Sequence, residues 1–265
     1  MSEHARWLID TGIELETSDG KKVKVINFQH SDDEDVLLRW AKHFREHYIL
    51  DSELDESRTS LGLARGEYLK TIKFPNKTSK LGPSVMAGDF AEILVADYIE
   101  FILNYLVPRT RYNNKINRDG SPQGVDILGF KILGETQSPN DELMTAEVKA
   151  SLATHGSDRF QKAINDSKKD LTRKAEALNA MRQRLKEKSD LDKVAIVDRF
   201  QNKTDRPYTE ISAAVLVCSN NCWLDQDITS AVADHPNENL YLFTIKGEAL
   251  MDLAYKLYQL AYDSA

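Results

Sequence analysis

Cysteine is nearly absent, with Cys218 and Cys222 the only two in 265 residues. They lack the second ligand pair that a structural zinc site needs, so both are expected to be reduced, Cys218 within a buried strand. No stretch approaches the roughly 18 consecutive apolar residues that span a membrane, and the start, MSEHARWLIDTG, lacks a basic-then-apolar leader. A cytoplasmic protein with no membrane association is expected. Cations are also in deficit, with 35 Lys and Arg against 42 Asp and Glu and a net charge of −7. Bulk attraction to nucleic acid is therefore excluded, and any DNA groove must be local. The absence of a Walker A sequence, a GxGxxG turn or a G-x-S-x-G elbow removes the obvious nucleotide-binding and serine-hydrolase readings. Internal repeats and low-complexity tracts are missing as well.

What the chain does have is a set of acids that defy their local pattern. Residues 86–106, MAGDFAEILVADYIEFILNYL, have a helical period, and rotation by about 100° per residue gathers Asp89, Asp97, Glu100 and Asn104 on one polar stripe. Glu92 falls instead among Val95, Ala96, Ile99 and Leu103 on a side expected to be buried. A buried carboxylate is costly unless paired or bound to a metal. In Val125 to Ile132 the two-residue period puts Asp126 on the side of Leu128, Phe130 and Ile132, at the mouth of an apolar face. In Leu143 to Ala150 it puts Met144, Ala146, Val148 and Ala150 on one face, and Thr145, Glu147 and Lys149 on the other.

Helix acid, strand acid and Glu-x-Lys in that order suit phosphodiester hydrolysis, which needs a hard cation and a positioned water. Mg²⁺, or Mn²⁺ in its place, takes oxygen ligands from one or two carboxylates plus the substrate phosphate. Asp126 and Glu147 are the candidate ligands. Lys149 would hold or deprotonate the attacking water and offset charge on the pentacovalent centre, and Glu92 would complete the metal's inner or outer shell. The bland alternative is a Glu147–Lys149 pair on a solvated strand face, with the chain a catalytically silent nucleic-acid or partner-binding module. A third reading rests on His43-Phe44-Arg45-Glu46-His47, an H-x-x-E-H pattern. In inverted zinc peptidases it supplies two zinc ligands and a base, although a distant third ligand is also required.

The remaining chain predicts an α/β fold. Residues 157–188 carry ten basic residues, Arg159 to Lys188, against five acids on an amphipathic helix expected to break near Asp166 to Asp170. Its charges read either as a solvated face or as a phosphate-tracking surface. Ile211–Cys218 and Leu240–Ile245 are buried strands, a helix starts near Glu248, Gly134 to Asp141 is a loop, and Val194–Val197 is too short to assign. Residues 1–80 hold the acidic clusters Asp32–Asp35 and Asp51–Glu56 around a helix from Val36 to Tyr48, and form either a small domain or an extension packed on the core of residues 81–265.

Gly88-Asp89-Phe90-Ala91-Glu92, Gly124-Val125-Asp126 and Ala146-Glu147-Val148-Lys149 resemble the HamA family, the nuclease subunits of the Hachiman anti-phage defence system within the PD-(D/E)xK superfamily. The resemblance is traced over residues 81–265. It implies a restriction-endonuclease-like core, a central mixed sheet flanked by helices. It also implies metal-dependent DNA cleavage and a HamB-type helicase partner that restrains the nuclease. It makes Asp126 and Glu147 the metal ligands, Lys149 the catalytic lysine and Glu92 the helix acid. Val125 stands where the superfamily name has proline, and the 20 residues between Asp126 and Glu147 are long for a hairpin.

Overall fold

Six strands build a single sheet. The computed structural model describes residues 2–113 and 115–265. Among them the strands are β1 (Leu8–Glu16), β2 (Lys22–Phe28), β3 (Ile127–Lys131), β4 (Glu142–Ser151), β5 (Thr209–Ser219) and β6 (Leu240–Gly247). Their spatial order is β1-β2-β6-β5-β4-β3. The four inner strands run parallel, and each edge is an antiparallel hairpin, so the sheet is mixed. The helices are α1 (Glu34–Glu46), α2 (Asp51–Thr59), α3 (Arg65–Tyr68), α4 (Gly82–Asp97), α5 (Arg159–Glu187), α6 (Leu191–Arg199), α7 (Asp225–Thr229) and α8 (Leu250–Asp263).

The helices cover both faces, which is why β5 can be buried from Ser212 to Ser219. Met144, Ala146 and Val148 of β4 join Val215, Phe243 and Ile245 under α1, α4 and α8. On the opposite face, Ala214 and Leu216 pack on Phe160 and Ile164 of α5, while Leu128, Phe130 and Leu143 pack on Leu178 and Met181 of α5 and on α6. This is the α/β architecture expected, consistent with a nuclease-like core.

Residues 1–80 contribute β1 and β2 to the same sheet, with β2 pairing to β6, and their Trp7, Phe28, Trp40 and Phe44 share the core beneath α4 and α8. The acidic clusters of this region start helices and form ion pairs. Asp33 caps α1 by accepting the Val36 amide, Asp51 takes a bidentate pair from Arg45, and Asp55 pairs with Arg58 and Arg65.

One expectation is corrected. The basic helix is unbroken from Arg159 to Glu187, because Ser167 and Asp170 turn inward onto the sheet and Asp166 is tied to Lys149 of β4. The polar stripe of Asp89, Asp97, Glu100 and Asn104 is largely enclosed. Asp89 and Asp97 are fully buried, Glu100 is half-buried against Arg109, and only Asn104 is exposed, past the turn that ends the helix. Their partners come from outside the helix, Lys115 and Tyr48 for Asp89 and two histidines with Arg109 for Asp97.

Candidate active site

The β3–β4 hairpin brings the strand acids together. Ile127 pairs with Ala146, so Asp126 lies one step beyond, beside Glu147, and its Oδ2 accepts the Val148 amide at 3.0 Å. The long connection is compacted by buried Asp141, which accepts the amides of Leu133 and Ser138 and the Arg199 guanidinium. At Gly129 a Cβ would lie 3.2 Å from Ile99 and 3.3 Å from Tyr105, so the missing side chain lets β3 close on the end of the α4 segment. That approach sets Asp126 near Glu92.

Glu92 and Asp126 are joined by a residue that sequence reasoning missed. Arg111 donates through Nε to Glu92 Oε2 at 2.7 Å and through Nη2 to Asp126 Oδ1 at 2.6 Å, while the Val125 and Pro122 carbonyls accept two of its three other hydrogens at 2.6 and 3.1 Å. The Tyr112 hydroxyl donates to Glu92 at 2.5 Å. Glu92, Asp126, Arg111 and Arg184 of α5 line one cavity of about 90 Å³.

Glu147 and Lys149 lie on the α5 side of the sheet, as the alternation predicts. Lys149 Nζ is 2.5 Å from Glu147 Oε1 and 2.8 Å from Asp166 Oδ2. Burial pulls the ammonium's pKa down, but hydrogen bonds to Asp166 and Glu147 outweigh it and hold the pKa above the ordinary lysine value. An ammonium paired in this way is suited to holding a water and offsetting charge. Asp126 is pushed well above the carboxylate range by desolvation and by the Glu92 and Glu147 charges, against the pull of Arg111. Glu147 is raised by desolvation, with Asp166 and Glu92 adding to it and Lys149 opposing.

The sequence reading also passed over Asp166 and Asp170, one turn apart on α5. Asp170 is fully buried, and among the described residues neither carboxylate oxygen has a hydrogen-bond partner. Its pKa rises from 3.8 to about 7, chiefly through desolvation and then through Glu147. The unfolded chain therefore releases this proton first, and stability should fall as pH rises from about 4 to about 7. Asp170→Asn is expected to remove that fall and to stabilise the protein at pH 8 by as much as ~4 kcal/mol. Urea unfolding of both proteins with chelator at acid and alkaline pH measures it.

These groups fit a hard divalent cation. Glu92, Asp126, Glu147, Asp166 and Asp170 face Arg111, Lys149 and Lys169, so negative charge is in excess, and Asp170 has no counter-charge in contact. Among the described residues no three of these carboxylates bring oxygens within 4.8 Å of one another. Mg²⁺ does not require that, because it keeps several waters and binds through one or two carboxylates.

A family model for HamA matches residues 3–261 of the chain. The match takes in the N-terminal strands as well as residues 81–261. No curated protein matches the chain.

Proposed function

The chain belongs to the HamA family, which makes it a Hachiman defence component, and from this we propose that it is the metal-dependent DNA endonuclease of that system, restrained and delivered by a HamB-type helicase. The observation that carries the reading is the largely buried set of carboxylates at Glu92, Asp126 and Glu147, met by Arg111 and by Lys149. A surface ion pair would need neither that burial nor the approach of Asp126.

Asp126 and Glu147 would hold Mg²⁺ or Mn²⁺, which when bound supplies charge neutralisation at the phosphate and a water of lowered pKa. Lys149 donates to the attacking water or to a non-bridging phosphate oxygen, and Asp166 fixes the lysine's direction. Arg111 holds Asp126 and Glu92 in register, and Tyr112 fixes the second carboxylate. Glu92 acts behind the ligands, setting charge and orientation. The test is degradation of plasmid and linear DNA by the chain with its helicase partner in Mg²⁺, set against the same mixture in chelator. Degradation in both would refute metal dependence.

The free chain is expected to bind DNA weakly, with a shallow salt dependence. Its net charge is −7, and the basic helix spends much of its charge internally, on the pairs Lys162–Asp158, Lys168–Asp234, Lys169–Asp166, Lys174–Glu210 and Arg182–Asp198. Few cations remain to release counterions, so a helicase that already grips DNA would supply the missing effective concentration. Fluorescence anisotropy across a salt series checks this; tight binding by the lone chain at physiological salt would contradict it.

A further inference from the structure

The H-x-x-E-H segment is not absorbed by the carboxylate site, and the fold completes it with residues distant in sequence. His43 and His47, at the end of α1, bring their Nε2 atoms 3.4 Å apart. His4, from the turn of Glu3–Trp7 that precedes β1, puts its Nε2 2.8 Å from Asp97 Oδ2, and His43 Nε2 lies 2.9 Å from Asp97 Oδ1. The ligand atoms of His4, His43 and Asp97 all fall within 4.8 Å of one another. Thus two imidazole nitrogens and one buried carboxylate meet where the N-terminal turn, α1 and α4 join, and His47 Nε2 adjoins them 3.4 Å from His43 Nε2.

Hydrogen bonds alone do not satisfy this arrangement. A ring nitrogen carries at most one hydrogen, so His43 Nε2 cannot donate to Asp97 and also pair with His47. If it donates to Asp97, the buried His47 nitrogen is left without a partner. If it accepts from His47, two lone pairs face each other at 2.9 Å. A shared cation removes the conflict, since each nitrogen then offers a lone pair. The surroundings suit such an ion. Ser2 Oγ lies 2.8 Å from His4 Nδ1 and orients that ring, and Arg109 donates to Asp97 Oδ1 at 2.9 Å while pairing with Glu100, so Oδ2, which faces His4 Nε2, is the oxygen a metal would share with that ring.

We propose that His4, His43, His47 and Asp97 form a structural site for a zinc-class divalent cation, which ties the N-terminal turn and α1 to the helix that carries Glu92. Three imidazoles and a carboxylate are donors for zinc and its first-row neighbours, unlike the all-oxygen set at Asp126 and Glu147. Glu46 takes no part, so the site is a clasp and not a peptidase centre.

The experiment is metal analysis and Co²⁺ titration of the full chain, stripped with chelator and then dialysed. One tightly held equivalent of Zn²⁺ is expected, with the visible spectrum of nitrogen-ligated Co²⁺ and a rise in Tm on adding zinc. His43→Gln should lower zinc affinity by at least about a hundredfold, more than is typical for loss of an outer-shell partner. Should that variant fold poorly by circular dichroism, His47→Gln provides the same reading. Glu147→Ala and His30→Gln should keep the full equivalent, which separates this ion from one at the carboxylates. Absence of a bound equivalent, or unchanged zinc affinity in folded His43→Gln or His47→Gln, would overturn the proposal.

Discussion

Lys149→Ala is expected to cut DNA at a rate lower by at least about a hundredfold, the cost of removing one preorganised charged donor from a developing oxyanion, while remaining folded and able to bind metal. The side chain is not part of an apolar core. Its ammonium joins Glu147 and Asp166, and Asp166 keeps Lys169 as a second partner when Lys149 is lost. The carboxylates proposed to hold the metal are unaltered, so Mn²⁺ affinity should change far less than the rate. Single-turnover cleavage alongside a Mn²⁺ titration separates the two. A loss of metal binding as large as the loss of rate would instead assign Lys149 the task of organising the ligands. Retained activity would remove it from the chemistry altogether.

The largest stability effect is expected at Arg111. Its guanidinium meets Glu92, Asp126 and two backbone carbonyls, and both carboxylates are close to fully enclosed. Arg111→Met would leave two buried acids without their counter-charge, which typically costs about 3–5 kcal/mol. Arg111→Lys should recover only part of the loss, since one ammonium does not reproduce a planar fork reaching four acceptors. Adding Glu92→Gln to Arg111→Met should offset part of the cost. Urea unfolding of the single and double variants measures the coupling, and an Arg111→Met variant as stable as the native chain would mean that these acids are already protonated in the fold.

How much of this could be read in advance depended on whether a residue's partner lay in the same element. The alternation from Leu143 to Ala150 put Glu147 and Lys149 on one face, which is where they lie, and the apolar surroundings of Glu92 foretold its enclosure. The same helical count put Asp89 and Asp97 on one polar stripe and gave no sign of their partners, because their cations and hydrogen-bond donors come from Arg109, Lys115, α1 and the N-terminal turn. Arg111 and Tyr112 lie in an aperiodic connection with no pattern to mark them, although two buried acids without a cation were a reason to look for one. Asp166 and Asp170 were hidden among the charges of α5. Beside buried Ala163, Ile164 and Ser167, their four-residue spacing faces the sheet. The strand at Lys22–Phe28 did carry a legible Lys-Val-Lys-Val alternation, whereas β1 is largely exposed and gave little signal.

The most direct test of the central claim is plasmid degradation by the chain together with its helicase partner, in Mg²⁺ or Mn²⁺, comparing the native protein with Glu147→Ala. The account predicts metal-dependent cutting by the native protein that disappears in the variant. Cutting that survives Glu147→Ala, or no cutting by the native protein with either metal and any form of DNA, would contradict it.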